Sequence, residues 1–186
     1  SRFLTPCLLT TRSKVQLVIK KNTIIICNIY FMNKDYLKIY NNLINLTTNK
    51  KLYSNLVKQD TFSDRLSLFL LHFAFLLKNF KDKEEKKTLQ ELYDFNFRQI
   101  ELSIREIGYG DQSINKKMKD YINLFHSIVS DIHFWKTDNQ IEKEKKLLKF
   151  LKNFGDISKI VDYFDDFDDK ISKKTFNSFI KSVSNE

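Results

Sequence analysis

Four groups of residues in this chain have types and spacings that could do chemistry. Arg65 and His72, in "RLSLFLLH", lie seven positions apart, so on a helix they share one face. A cation and an imidazole set into an apolar surface can recognise a partner or a prosthetic group. The plainer alternative is a core-edge arginine and a hydrogen-bonded structural histidine. His126 and His133 repeat the spacing, but two turns is too far for both to ligate one metal as a His-x3-His pair does, which favours a solvated face. "DYFDDFDD", residues 162–169, concentrates acid. It lacks the glycine and terminal glutamate of a calcium loop, so no metal site is predicted. The fourth group is "REIGYGD", residues 105–111, where Arg105, Glu106 and Asp111 surround Gly108 and Gly110, two of the three glycines in the chain.

These residues need elements to hold them, and the periodicity is helical throughout. Residues 33–59 predict one or two helices from Tyr36, Ile39, Tyr40, Leu43 and Ile44. "FSDRLSLFLLHFAFLLKNF", residues 62–80, predicts a helix apolar nearly all round, with Ser63 or Asp64 as its cap. Its uncharged run, Leu66–Leu77, is 12 residues, which suits a buried central helix better than a membrane span of ~20. Residues 88–107 carry a seam at Tyr93, Phe97, Ile100, Ile104 and Ile107. Gly108 falls where a helix ends in a left-handed cap. Gly110 then allows a tight reversal, and Asp111 or Ser113 caps a following helix that runs to about Trp135. A turn this short makes the two helices an antiparallel hairpin, with Arg105, Glu106 and Asp111 at one end. Helices at Ile141–Phe154, Asp156–Phe167 and Lys170–Val183 complete the chain, with a stop at Gly155. The fold class is therefore all-α, a compact multi-helix bundle with one highly apolar central helix and antiparallel hairpins.

Composition agrees. Three glycines and one proline in 186 residues are too few for turn-rich β architecture, and the length buries a core without disulfides or metals. The formal charge is +9, but residues 1–34 hold six Lys/Arg and no acid, leaving 26 basic against 23 acidic in residues 35–186. A nearly balanced body lacks the basic stripe of a nucleic-acid binder, so no DNA partner is predicted. Both cysteines, Cys7 and Cys27, lie in the N-terminal stretch, which excludes a disulfide framework or cysteine zinc site in the body. Residues 1–31 read as a basic extension, translated upstream of a start at Met32, with organellar transit and secretory segments as alternatives. Residues 32–186 read as one domain.

No GxGxxG, P-loop, HExxH, CxxC or GxSxG occurs. Chemistry from residue types alone stops at a helical domain built for binding rather than catalysis.

A resemblance extends this. Asp60-x4-Arg65 leading into "LFLLHFAFLL" resembles a segment of the ubiquinol–cytochrome c reductase assembly chaperone family of mitochondria and alphaproteobacteria. "ELYDFNFRQIELSIREIGYGDQSINKKMKDYINLF", residues 91–125, is similar to the family's longest shared block, a helix ending in Arg-Glu-x-Gly-x-Gly-Asp before a Lys-rich helix start. "LLKFLKNF", residues 147–154, fits its C-terminal part. The likeness covers roughly residues 36–183. It departs after Phe125, where the family tends to have a Gly-Arg pair and a Tyr and this chain has "HSIVSDIHFW".

The resemblance implies a non-enzymatic assembly factor without a cofactor of its own, which binds newly made cytochrome b during assembly of complex III. It implies work with a second small assembly factor and the ribosome near its exit. It also implies a place peripheral to the inner membrane, on the cytoplasmic side in a bacterium or the matrix side in a mitochondrion. The residues this marks for partner contact or for structure are Asp60, Arg65, His72, Arg105, Glu106, Gly108, Gly110 and Asp111. Arg65 and His72 are expected to face a groove, and the hairpin residues to brace it or fix the turn. Haem, carried by the client, is a subsidiary ligand for His72. The competing reading is an all-α enzyme or carrier for an apolar, isoprenoid-like ligand.

Overall fold

The computed structural model describes residues 35–49, residue 52 and residues 61–181. The chain divides into two units, Ser1–Leu37 and Lys38–Glu186. Of the first, residues 35–37 are described, and they are helical. Apart from those three residues, everything below concerns the second.

Among the described residues there are seven helices and no strand: α1 (35–47), α2 (Phe62–Phe80), α3 (Lys86–Glu106), α4 (Asp111–Asp131), α5 (Gln140–Phe150), α6 (Ile157–Ser172) and α7 (Phe176–Lys181). The bundle is organised around α2. Every residue from Leu66 to Leu76 is buried, so more than two full turns are covered on all sides. α4 and α6 make its main helix contacts, α3 packs on α4, and α5 packs on α6. Phe73 stacks on Phe125 of α4, with ring centroids 5.2 Å apart. Phe75 stacks on Phe164 of α6 at 5.1 Å and meets Trp135 edge-on, also at 5.1 Å. Offset-stacked and edge-to-face contacts of this kind add about 0.5–1.5 kcal/mol each beyond the area buried.

Several helix ends differ from the sequence reading, each for a local reason. α2 is capped by Thr61, not by Ser63 or Asp64. Thr61 Oγ1 accepts from the Asp64 N–H, and Asp64 Oδ2 accepts from the Thr61 N–H at 3.2 Å, so Asp64 is the reciprocal partner of a capping box. α4 ends at Asp131 rather than near Trp135. Trp135 sits in the turns that follow, where its Nε1–H donates to Asp165 at 2.6 Å. α5 stops at Phe150, with Leu151 at φ −116°, ψ 56°, ahead of Gly155. The acidic stretch 162–169 is not broken after Phe167, where the sequence predicts a helix end. It lies inside α6, with Phe164, Phe167 and Asp168 buried. Lys170 therefore belongs to α6, and the last described helix is short. Residues 50–51, 53–60 and 182–186 lie outside the described residues, and so do Asp60, the 1–31 extension and the far end of the helix predicted over 33–59.

Asp168 closes the C-terminal end of α2. It is buried, and Asn79 Nδ2 donates to its Oδ1 at 2.6 Å. Lys78 Nζ lies 3.4 Å from Oδ2 and Lys136 Nζ 3.7 Å. A buried carboxylate held by an amide and two cations ties α2 to α6. Removing it leaves Lys78, whose pKa burial already lowers, without its main counter-charge. Asp168→Ala is therefore expected to destabilise the protein by about 2–4 kcal/mol, read as a lower midpoint of chemical denaturation at unchanged slope.

Candidate functional site

α2 and α3 are joined by residues 81–85, and the start of α2 and the end of α3 line one groove. The last turns of α1 lie against the same place. Tyr40, Ile44, Phe62, Arg65, Leu66, Phe69 and Ile100 line a groove of about 240 Å³ there, with the hydroxyls of Thr47, Thr48 and Ser103. Tyr40 packs on Phe69 at 5.5 Å. Phe62 and Ile44 are 40% and 36% exposed, so two large apolar side chains stand open at the mouth. Phe62, Arg65, Leu66 and Phe69 follow the i, i+3, i+4, i+7 spacing of one helix stripe. The start of α2 is held from a second direction, since Asn153 Nδ2 donates to Asp64 Oδ2 at 2.9 Å.

Arg65 and His72 part company. Seven residues of helix is roughly 10 Å of axis, and over that distance the groove gives way to α6. Arg65 lines the groove. His72 does not, being wholly buried against Phe164 and Phe167, with ring centroids at 5.0 and 4.9 Å. Its partners assign the tautomer: Nδ1–H donates to the Leu68 carbonyl at 2.7 Å, and Nε2 accepts from the Tyr163 hydroxyl at 2.7 Å. Ligation of haem iron by His72 would require breaking one of these bonds and opening the α2–α6 contact. Burial pushes the imidazole pKa down to about 4, against a smaller opposing effect of the Leu68 carbonyl. Burial likewise raises Tyr163 to about 12.

At the other side of α3's last turn stands the hairpin. Gly108 takes φ +96°, the left-handed conformation that ends a helix, and its N–H donates to the Arg105 carbonyl at 2.9 Å. Gly110 does not make the reversal. It has φ −72° and is the N-cap of α4, with no side-chain cap bond. Asp111 is accordingly the first helical residue rather than a cap. Arg105 bridges the turn, with Nη1 to Asp111 at 2.6 Å and Nη2 to Glu101 at 2.8 Å. These two acids, Glu101 first, raise the guanidinium pKa. All three side chains are well exposed, so the cluster fixes geometry more than it adds stability. Glu106 is exposed in the last turn of α3. Ile107 and Tyr109 are exposed beside it, and Lys117 Nζ sits 4.3 Å over the Tyr109 ring.

In the sequence Tyr40, Ile44 and Ile100 read only as helix periodicity, and Phe62 and Phe69 carry no separate mark. The available signal was the pair Tyr40 and Ile44, spaced four apart, and an aromatic residue at the very start of a helix, where burial is hardest. Among the described residues no group of three or more His, Cys, Asp or Glu could hold a metal ion, and no helix is long and apolar enough to cross a membrane.

The fold and the groove define an all-α bundle with an apolar recess beside a rigid, ion-paired hairpin. Residues 55–133, which span α2, α3, the hairpin and α4, match the family described as Ubiquinol-cytochrome C chaperone. Over those residues the resemblance read from the sequence is shown. The crystal structure of the Cbp3 homolog from Brucella abortus superposes with a TM-score of 0.67 at 20% identity, covering 92% of this chain and 93% of that one. At that identity the likeness is one of fold. No curated protein matches the chain by sequence.

Two outcomes follow from the buried histidine and the turn. His72 has a folded pKa of about 4 against ~6.5 unfolded. The unfolded state therefore binds the extra proton first. The neutral histidine's stability is fully present above about pH 6.5 and is lost as pH falls toward 4, by up to about 3 kcal/mol. Denaturant titrations at pH 7 and pH 4.5 should show this loss, and His72→Gln should show a smaller pH-dependent difference than the wild type. At the turn, a Cβ on Gly108 meets nothing within 4 Å, so Gly108→Ala costs only its backbone strain, about 1–2 kcal/mol. Gly110→Ser, at an N-cap with room around it, should be neutral or stabilising by a few tenths of a kcal/mol. Thermal melts of the two variants check the contrast.

Proposed function

We propose that this protein is a non-enzymatic assembly chaperone for ubiquinol–cytochrome c reductase, and that its client is newly made cytochrome b. The observation that carries the reading is the groove between α1, α2 and α3, with Ile44 and Phe62 open at its mouth and Arg65 on its wall. An apolar transmembrane segment held before insertion needs a surface that covers its side chains. The groove's volume, about 240 Å³, lies below the ~300–1,000 Å³ of small-molecule sites. It suits one or two anchoring side chains of a helix better than an isoprenoid, which weighs against the enzyme or carrier alternative at this place. Among the described residues that line it there is no carboxylate, histidine or cysteine. The match to the Ubiquinol-cytochrome C chaperone family over the helices that build the groove supports the same reading.

In this role Gly108 and the Arg105–Asp111 bridge set the angle between α3 and α4, and so hold the groove wall that carries Ile100 and Ser103. The setting is the inner-membrane face where cytochrome b is made, with a second small assembly factor and the ribosome exit as neighbours. His72 and Asp64 act structurally, within α2's packing and its cap.

Ile44→Glu and Phe62→Glu alter exposed side chains and leave the core intact. In an affinity pull-down from the native host in mild detergent, the wild-type chain should enrich cytochrome b. Each variant should lose about tenfold or more of that recovery, the scale of a buried apolar anchor, with unchanged circular dichroism. In a deletion strain, assembled complex III should return with the wild type and not with the double variant. Equal recovery of cytochrome b by folded variants, or intact complex III in the deletion, would overturn the reading.

A further inference from the structure

A second recess lies between the C-terminal half of α2, the start of α3 and α4. It has a volume of about 540 Å³, within the ~300–1,000 Å³ of small-molecule sites, and is lined by Leu77, Leu89, Tyr93, Phe125 and Val129 with Lys78, Lys81, Gln90 and His126. Its floor is aromatic and rigid: Phe125 packs on Phe73, Phe97 and Tyr93 at 5.2, 5.4 and 5.7 Å. Of the five apolar lining residues, Val129 is exposed, while Leu77, Leu89 and Tyr93 are half-buried and Phe125 is buried. The recess is open to solvent along one side, with Phe125 at its base and Val129 at its edge. An apolar recess of this size suits a flexible hydrocarbon chain lying along its floor.

The polar part of the lining has one sign. Lys78 and Lys81 supply cationic nitrogen and His126 an imidazole, and among the described lining residues none is a carboxylate. A neighbouring carboxylate, Asp94, accepts from Gln90 Nε2 at 2.9 Å. Lys78 is partly committed to Asp168, which leaves Lys81, exposed at the rim, as the principal cation.

From this geometry we propose that the recess between α2, α3 and α4 binds a free single-chain amphiphile of the long-chain carboxylate class. The hydrocarbon lies against Phe125, Tyr93, Leu77 and Leu89, and the anionic head sits at Lys81 and Lys78. The site is separate from the groove beside Arg65. It stands or falls independently of whether cytochrome b is the client.

The test is calorimetric titration of the purified full chain with oleate below its micellar concentration. Saturable binding at one oleate per chain is expected. It should weaken about fivefold in Lys81→Glu, the scale of an exposed ion pair replaced by a repulsive one, and tenfold or more in Val129→Trp, which blocks the mouth. Methyl oleate, with the same chain and no charge, should bind at least fivefold more weakly than oleate. Both substitutions are at exposed positions, and unchanged melting temperatures will show that the fold is kept. Three results would each overturn the proposal: no saturable binding of oleate, affinity indifferent to both variants, or retention only on anionic phospholipid vesicles with no binding of the monomer. The last would make the lysines part of a membrane-contact surface instead.

Discussion

The complete burial of α2 is the constraint on which the rest of the bundle depends. A helix covered on every side from Leu66 to Leu76 has no solvent face on which to place a polar group, so each polar group it carries must find a partner inside. His72 meets this with both ring nitrogens bonded, one to its own helix and one to α6. Burial holds it neutral, against the smaller opposing effect of the Leu68 carbonyl, because an imidazolium in that position would be costly. The gain is large: each fully buried Leu or Phe contributes about 1.5–3 kcal/mol from apolar surface alone. The cost is that α4 and α6 must be placed so that Phe125, Phe164 and Trp135 fill the space around Phe73 and Phe75.

The two ends of α2 are finished differently, and the difference separates stability from recognition. At the C-terminal end, Lys78, Asn79 and Asp168 close the contact with α6 through a buried charge network, and Phe80 meets Phe176 and Phe179. At the N-terminal end, the Thr61–Asp64 capping box and Asn153 anchor the backbone, yet Phe62 stays open. A backbone that is fixed while an aromatic side chain remains exposed is pre-organised for contact, because less side-chain and chain ordering must be supplied on binding. The hairpin extends the same logic. Gly108 sets the turn, Arg105 locks it across to Asp111, and Ile107 and Tyr109 are presented on a stiff support.

Much of this was legible in the chain. The bounds of α2 follow from its apolar run, and the end of α3 follows from Gly108, because a glycine just past a periodic seam has one common use. The ends that were misread share a cause. Trp135 continues the helical seam of α4 in sequence, but its ring is buried and its indole N–H finds an acceptor in Asp165 beyond the end of the helix. The run 162–169 looks solvated because six of its eight residues are Asp or Tyr. Its helical phase nevertheless turns Phe164, Phe167 and Asp168 inward, where a pattern of charge count alone cannot follow. Of the candidate site, Arg65 and the hairpin were legible, while Tyr40, Ile44 and Ile100 were not, since they come from helices far apart in sequence and look like ordinary core positions.

By itself the sequence determined the helical class, the most buried helix, the left-handed turn at Gly108 and the family pattern along residues 55–133. These are local properties, set by periodicity, by the one residue type that tolerates positive φ and by the order of short motifs. The tertiary structure alone decided that Arg65 and His72, seven residues apart on one helix, have opposite fates. One lines an open groove and the other is sealed in the core, because a packed neighbour, α6, covers only the later turns of α2. Which side of a helix meets water is a property of what packs against it, and that information is not carried by the helix.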